Sequence, residues 1–207
     1  MTSGLFISFE GGDGAGKSTQ LSRLADWIEQ ATTREVVRTR EPGGTAVGQT
    51  LREVLLHGQD LGPRTEALLF AADRAHHVDS LIRPALDRGA VVLTDRYLDS
   101  SVAYQAGGRT LLPAEVEQLS LWGTEHLLPA VTVLLDLDPV HLPERIKGDP
   151  DRLERAGAEF HVRTRQAFLD RASADPQRWL VMDASGPKDQ VAAAIRHHVA
   201  PLLGVTP

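Results

Sequence analysis

Apolar residues fall into two kinds of run along the chain. The short runs "LFISF" (5–9), "EVVRT" (35–39), "AVVLTD" (90–95), "VTVLLDL" (131–137) and "WLVMD" (179–183) are rich in Val, Leu and Ile. Runs of this length, bounded by polar residues, predict strands buried on both faces. The longer stretches between them carry apolar residues three and four apart, as at Leu21, Leu24, Trp27 and Ile28 or at Leu51, Val54 and Leu55. That is the spacing of one helical face. Strands alternating with helices require right-handed crossovers, so the pattern predicts an α/β fold with a five-stranded parallel sheet and helices on both faces. In such a sheet ligands sit at the carboxyl ends of the strands.

The segment 143–158, "PERIKGDPDRLERAGA", differs from the rest by mixing Arg145, Lys147, Arg152 and Arg155 with several acids around a Gly-Asp-Pro break. A solvated helix hairpin and a mobile lid both fit it. No repeat or Ser/Gly linker divides the 207 residues, which read as one domain. With no cysteine, disulfides and thiolate metal sites are excluded. The opening "MTSGLFISFE" has no basic region before a long apolar stretch, and no apolar run approaches membrane-spanning length, so a cytoplasmic protein is expected. A net charge of -6 argues against a nucleic-acid polymer as partner but leaves small phosphorylated ligands open.

Gly11-x-x-x-x-Gly16-Lys17-Ser18 lies between a predicted strand and a predicted helix, the context of a P-loop. The backbone of Gly11, Gly12, Asp13, Gly14, Ala15 and Gly16, continuing into Lys17, Ser18 and Thr19, can turn successive N–H groups onto one anion at a helix N-terminus. Lys17 suits the outer phosphates and the Ser18 hydroxyl suits Mg²⁺, which makes this a nucleoside triphosphate site. No guanine-reading N/T-K-x-D element is present, and "DASG" (183–186) lies too near the C-terminus to sense a γ-phosphate, so a GTPase switch is disfavoured.

Three further clusters follow predicted strands or share a helical face. "TREPGGT" (39–45) brings Arg40 and a Pro42-constrained turn, with Arg52 downstream; "LLFAADRAHH" (68–77) sets Phe70 and Arg74 four apart; "LTDRYLDSSVAYQ" (93–105) crowds Asp95, Arg96, Ser100, Ser101, Tyr104 and Gln105. Singly these fit a core phenylalanine, a surface arginine and a helix cap. Gathered at strand ends beside a P-loop, they read as a second substrate site.

These motifs, in this order and spacing, resemble the thymidylate kinase family over about residues 5–195. The resemblance implies transfer of the γ-phosphoryl of ATP to dTMP within dTTP biosynthesis, a five-stranded parallel sheet, use of Mg²⁺ and a homodimer. It also accounts for a carboxylate inside a phosphate loop: Asp13 would receive the sugar 3′-hydroxyl. Phe70 would stack on the pyrimidine, Arg74 would meet a thymine carbonyl, and Ser100, Ser101 and Gln105 would lie around the base. Tyr104 would crowd a ribose 2′-hydroxyl. Arg96, with Arg40 and Arg52, would hold the acceptor phosphate beside the Pro42 turn, and Asp95 would help Ser18 place Mg²⁺. Gly14 stands where some relatives carry an arginine, which aligns the chain with the bacterial subgroup that draws its catalytic cation from a lid. Arg145, Lys147 and Arg152 are the candidates, and "DASGPKDQ" (183–190) would form the adenine edge. A phosphate monoester attacks without losing a proton, so no general base is needed. A P-loop kinase with an alcohol acceptor, in which Asp13 is a base, and a regulatory ATPase with no acceptor are the alternatives.

Overall fold

The computed structural model describes residues 3–107, 111–141, 145, 152, 153, 155 and 157–207. Five parallel strands, β1 (Leu5–Glu10), β2 (Val36–Arg40), β3 (Val91–Asp95), β4 (Val131–Asp136) and β5 (Trp179–Asp183), pair in the order β2-β3-β1-β4-β5. Each apolar run of the sequence becomes one strand, displaced by no more than a residue at either end. The helices are α1 (Lys17–Ala31), α2 (Ala46–Arg52), α3 (Pro63–His77), α4 (Arg83–Asp87), α5 (Leu98–Ser101), α6 (Pro113–Gly123), α7 (Ala158–Ala174) and α8 (Lys188–Leu203). Among the described residues no helix is long and apolar enough to cross a membrane.

Strand side chains alternate between two cores, as a pleated backbone requires. Ile7, Phe9, Leu93, Val133 and Leu135 pack with Leu24 and Ile28 of α1 and Ile195 and Val199 of α8. Phe6 and Val92 point the other way, onto Val78, Ile82 and Ala85. Leu134 meets Phe160 and Phe168 of α7. Phe9 has no exposed surface, so its truncation to Ala would cost about 3–5 kcal/mol. In register, both Phe9 and Arg40 lie opposite Asp95. The ends of β1, β2 and β3 are therefore level, and the loops leaving them converge.

Helix geometry departs from the sequence reading at one place. After α2 the chain takes a π-type turn over Glu53–His57, which adds a residue to the turn and shifts the face. Leu55 and Leu56 are buried while Val54 is 42% exposed, so the expected set Leu51, Val54 and Leu55 does not share one face. A second such turn, Val102–Gly107, follows α5 and buries both Tyr104 and Gln105. In the segment 143–158, the described residues are Arg145, Arg152, Leu153, Arg155, Gly157 and Ala158; Lys147 lies outside the described residues.

Candidate active site

The loop from β1 to α1 turns through left-handed backbone at Gly14 and Gly16, with φ of 70° and 96°, a region that side chains with a Cβ rarely occupy. It delivers the N-terminus of α1 to the sheet's carboxyl edge. Asp13, Gly14, Ala15, Gly16, Lys17, Ser18 and Thr19 line a cleft of about 700 Å³. Gly11 and Gly12 lie behind it, and their carbonyls accept from Lys17 Nζ at 3.2 and 2.9 Å. Burial lowers the Lys17 pKa, as does Arg96, against the opposing pull of Asp95, Asp13 and Glu10. Ser18 Oγ donates to Asp95 Oδ2 at 2.6 Å, which places a hydroxyl and a carboxylate together at the cleft wall. Arg40, Arg52 and Arg145 also line the cleft, and Arg145 donates to the Ala184 carbonyl at 3.1 Å beside Gly186 and Lys188.

A second, tighter cavity of about 90 Å³ adjoins this cleft. Pro42, Phe70, Arg74, Ser100, Ser101, Tyr104 and Gln105 all line it, so the structure brings together residues that the sequence spreads from 42 to 105. Asp13, Glu41, Arg52 and Arg96 border both spaces. This common wall is where a group could pass from one ligand to the other.

Arg96 is the hub of that wall. Its backbone has φ of 70°, uncommon for a residue with a side chain and frequent at functional sites. Its amide N–H donates a hydrogen bond to the Phe9 carbonyl at 2.9 Å, which holds it there. The guanidinium donates to the Gly11 carbonyl and Ser100 Oγ, each at 3.1 Å, and to Tyr104 Oη at 3.1 Å and Asp13 Oδ1 at 2.5 Å. Tyr104 Oη donates in turn to Asp13 Oδ2 at 3.2 Å. Burial works to raise the Asp13 pKa, but Arg96 and Lys17 more than offset it and hold the group down to about 2. Asp13 is thus an acceptor-only anion across the working pH range, turned toward Arg96 and Tyr104.

Several residues of this framework were not singled out by sequence reasoning. Glu10, wholly buried at the end of β1, accepts from the Tyr97 amide at 2.8 Å and Ser100 Oγ at 2.5 Å. Burial first, then Asp99, pushes its pKa up to about 8. The charged ends of the strand runs hinted at Glu10, but nothing local names its partners. Asp99 is itself enclosed, clamped by Arg171 and Arg178. Glu66 lies below the acceptor cavity, accepts from Gln105 Nε2 at 3.0 Å and pairs with Arg152 at 2.5 Å. Arg152 also donates twice to the Leu55 carbonyl, at 2.9 and 2.8 Å. It is 8% exposed and does not line the P-loop cleft, whereas Arg145 does. Ser101 Oγ is engaged by Arg74 at 3.0 Å and Arg52 donates to the Pro42 carbonyl at 3.0 Å.

A hard cation such as Mg²⁺ is held by one or two carboxylates, phosphate oxygens and water. The Ser18–Asp95 pair beside the phosphate loop fits that demand. No group of three or more His, Cys, Asp or Glu suited to a metal occurs among the described residues.

A family model described as "Thymidylate kinase" matches residues 9–195. A thymidylate kinase of Bifidobacterium longum subsp. infantis is 58% identical over 206 residues, covering 97% of this chain and 88% of that protein. Those of Clavibacter michiganensis and Deinococcus radiodurans are 55% and 50% identical, covering 97% and 94% of this chain and 96% of each relative. A solved structure of thymidylate kinase from Ehrlichia chaffeensis superposes with a TM-score of 0.79 at 31% identity, over 95% of this chain and 99% of that one. With a P-loop cleft, a separate acceptor cavity and likeness running through nearly every residue, the chain belongs to the thymidylate kinase family.

Proposed function

We propose that the chain transfers the γ-phosphoryl group of ATP to dTMP, giving dTDP and ADP, across the wall shared by its two cavities. The observation that carries this reading is that Asp13, Arg52 and Arg96 border both the P-loop cleft and the acceptor cavity. ATP occupies the cleft, with its β- and γ-phosphates at Lys17 and the loop backbone and its adenine toward Ala184 and Gly186. The dTMP base enters the inner cavity between Phe70 and Arg74, and its phosphate lies at Arg96 and Arg52, with Arg40 nearer the rim. Asp13 accepts the 3′-hydroxyl, and Tyr104 fills the space a 2′-hydroxyl would need.

Ser18 and Asp95 would hold Mg²⁺, which would supply positive charge to the phosphates. The protein's own contribution is placement and charge. The acceptor phosphate is mostly dianionic near pH 7, so its oxygen attacks without a base. Lys17 and Arg96 neutralise the crowded oxygens and hold donor and acceptor in line. Arg145 is the lid cation, because it lines the cleft, while Arg152 closes the acceptor side against Glu66.

Leu68 of α3 and Trp122 of α6 are 57% and 79% exposed on helices that pack together, and we assign this face to a homodimer. The enzyme would act in the cytoplasm within dTTP synthesis, with nucleotides rather than polymers or membranes as partners. A coupled ADP-release assay across nucleosides and nucleoside monophosphates tests the assignment. dTMP should be turned over far better than dCMP, dGMP or thymidine, and equal turnover of thymidine and dTMP would reject it. Sedimentation of the purified protein tests the dimer.

A further inference from the structure

A guanidinium carries five N–H groups. In Arg74 four of them are already taken: Nε by Glu41 Oε2 at 2.8 Å, one on Nη1 by Ser120 Oγ at 3.0 Å, and both on Nη2 by the Tyr97 carbonyl at 3.3 Å and Ser101 Oγ at 3.0 Å. The side chain is 2% exposed yet lines the acceptor cavity. Glu41 cannot swing away, because its other oxygen meets His77 Nδ1 at 2.9 Å and His77 Nε2 meets Thr39 Oγ1 at 2.7 Å. Ser120 comes from α6, is 1% exposed and lines neither cavity, so it has no route to a ligand.

On the reading that Arg74 meets the base, we propose that Glu41 and Ser120 are positioning residues that set base specificity by leaving Arg74 one N–H, on Nη1, for the pyrimidine 4-position. A 4-keto oxygen accepts that hydrogen. A 4-amino group brings a donor to a donor and gains nothing, and a fixed arginine cannot turn away to admit it. Discrimination thus depends on the clamp as much as on the arginine. Glu41 supplies direction and the compensating charge of a buried pair. Ser120 fixes the rotation of Nη1, the nitrogen that keeps the free hydrogen.

The test compares kcat/KM for dTMP and dCMP, with KM for ATP, in wild type, Arg74→Met, Glu41→Gln and Ser120→Ala. Losing one hydrogen bond to a charged group corresponds to roughly tenfold. Ser120→Ala should lower the dTMP/dCMP ratio by about that factor, and Glu41→Gln by more. In Ser120→Ala the change should fall on KM for dTMP, with KM for ATP unchanged, since Ser120 lines neither cavity. If Arg74→Met keeps the wild-type ratio, Arg74 does not read the base, and the clamp falls with it. If Arg74→Met loses the ratio but Ser120→Ala and Glu41→Gln keep it within twofold, the arginine reads without the clamp and the proposal is overturned. A parallel fall for both nucleotides would overturn it too, since general damage does not choose between bases. Should Glu41→Gln not fold, Ser120→Ala decides alone.

Discussion

The two cavities are built on opposite plans. The P-loop cleft is wide, about 700 Å³, and one continuous stretch, 13–20, forms one of its walls. The acceptor cavity is about 90 Å³ and draws Pro42, Phe70, Ser101 and Leu153 from four separate parts of the chain. Triphosphate binding uses backbone N–H groups and a helix end, which any sequence with the right glycines can present. Recognition of a nucleobase and its sugar needs side chains held at fixed angles, and fixing them takes a second layer. Arg74 and Gln105 each have their orientation set by a buried carboxylate from a distant element, Glu41 and Glu66. The backbone contribution is therefore local in the first cavity, while the side chains of the second are placed collectively.

Breaking the cleft should have the largest effect. Lys17→Ala removes the lysine proposed for the outer phosphates, and kcat should fall by about a hundredfold or more, because that charge would act on the transition state. Activity within tenfold of wild type would mean that Arg96 or Arg145 already carries the role.

On the acceptor side, Asp13→Asn keeps the shape while altering one charge-assisted hydrogen bond. About 1.5–3 kcal/mol, or roughly tenfold to a hundredfold, should appear in KM for dTMP, with weaker discrimination against the 3′-deoxy analogue. Since Asp13 is held down to about 2, no acidic limb from this group should appear in the pH–rate profile between pH 5.5 and 8.5. Such a limb in wild type, absent from the variant, would instead make Asp13 a base.

Arg145 and Arg152 sharpen the contrast. Arg145→Ala should lower kcat more than tenfold with little change in KM for dTMP. Arg152→Ala leaves Glu66 without its buried partner and should raise KM for dTMP and lower Tm, since breaking a buried pair costs about 3–5 kcal/mol. The reverse pattern would exchange their roles.

The smallest expected effect concerns Glu10. Its folded pKa, about 8, lies above the ordinary 4.5, so between these values the native protein keeps a proton that the unfolded chain has lost. Stability from this group is present below pH 4.5 and is lost as pH rises through about 8. Glu10→Gln mimics the protonated form, so relative to wild type it should be more favourable at pH 8 than at pH 5. Equal shifts in Tm at the two pH values would show that Glu10 does not titrate in this window.

The fold was legible because its code is local. Five apolar runs at strand length and helical spacing between them fix an α/β sheet, and backbone sterics supply the handedness. The phosphate loop was legible for the same reason, since glycines, Lys17 and Ser18 act within a few residues of one another. Phe70, Arg74 and Arg96, which line the second cavity, could be proposed for the acceptor because their order resembles a known family's, but their settings could not. That Ser101 serves Arg74 depends on α3 packing beside α5. That Arg152 turns to Glu66 of α3 while Arg145 lines the cleft and reaches the Ala184 carbonyl after β5 depends on partners far away in the sequence. Val54 faces solvent because a wide turn added one residue that no periodicity announced. Local sequence determined the elements and the phosphate cradle, where each interaction spans a few residues. Tertiary packing alone decided the buried partners Glu10, Glu41, Glu66 and Ser120, because a carboxylate or hydroxyl becomes a fixed acceptor only when distant helices and strands exclude water around it.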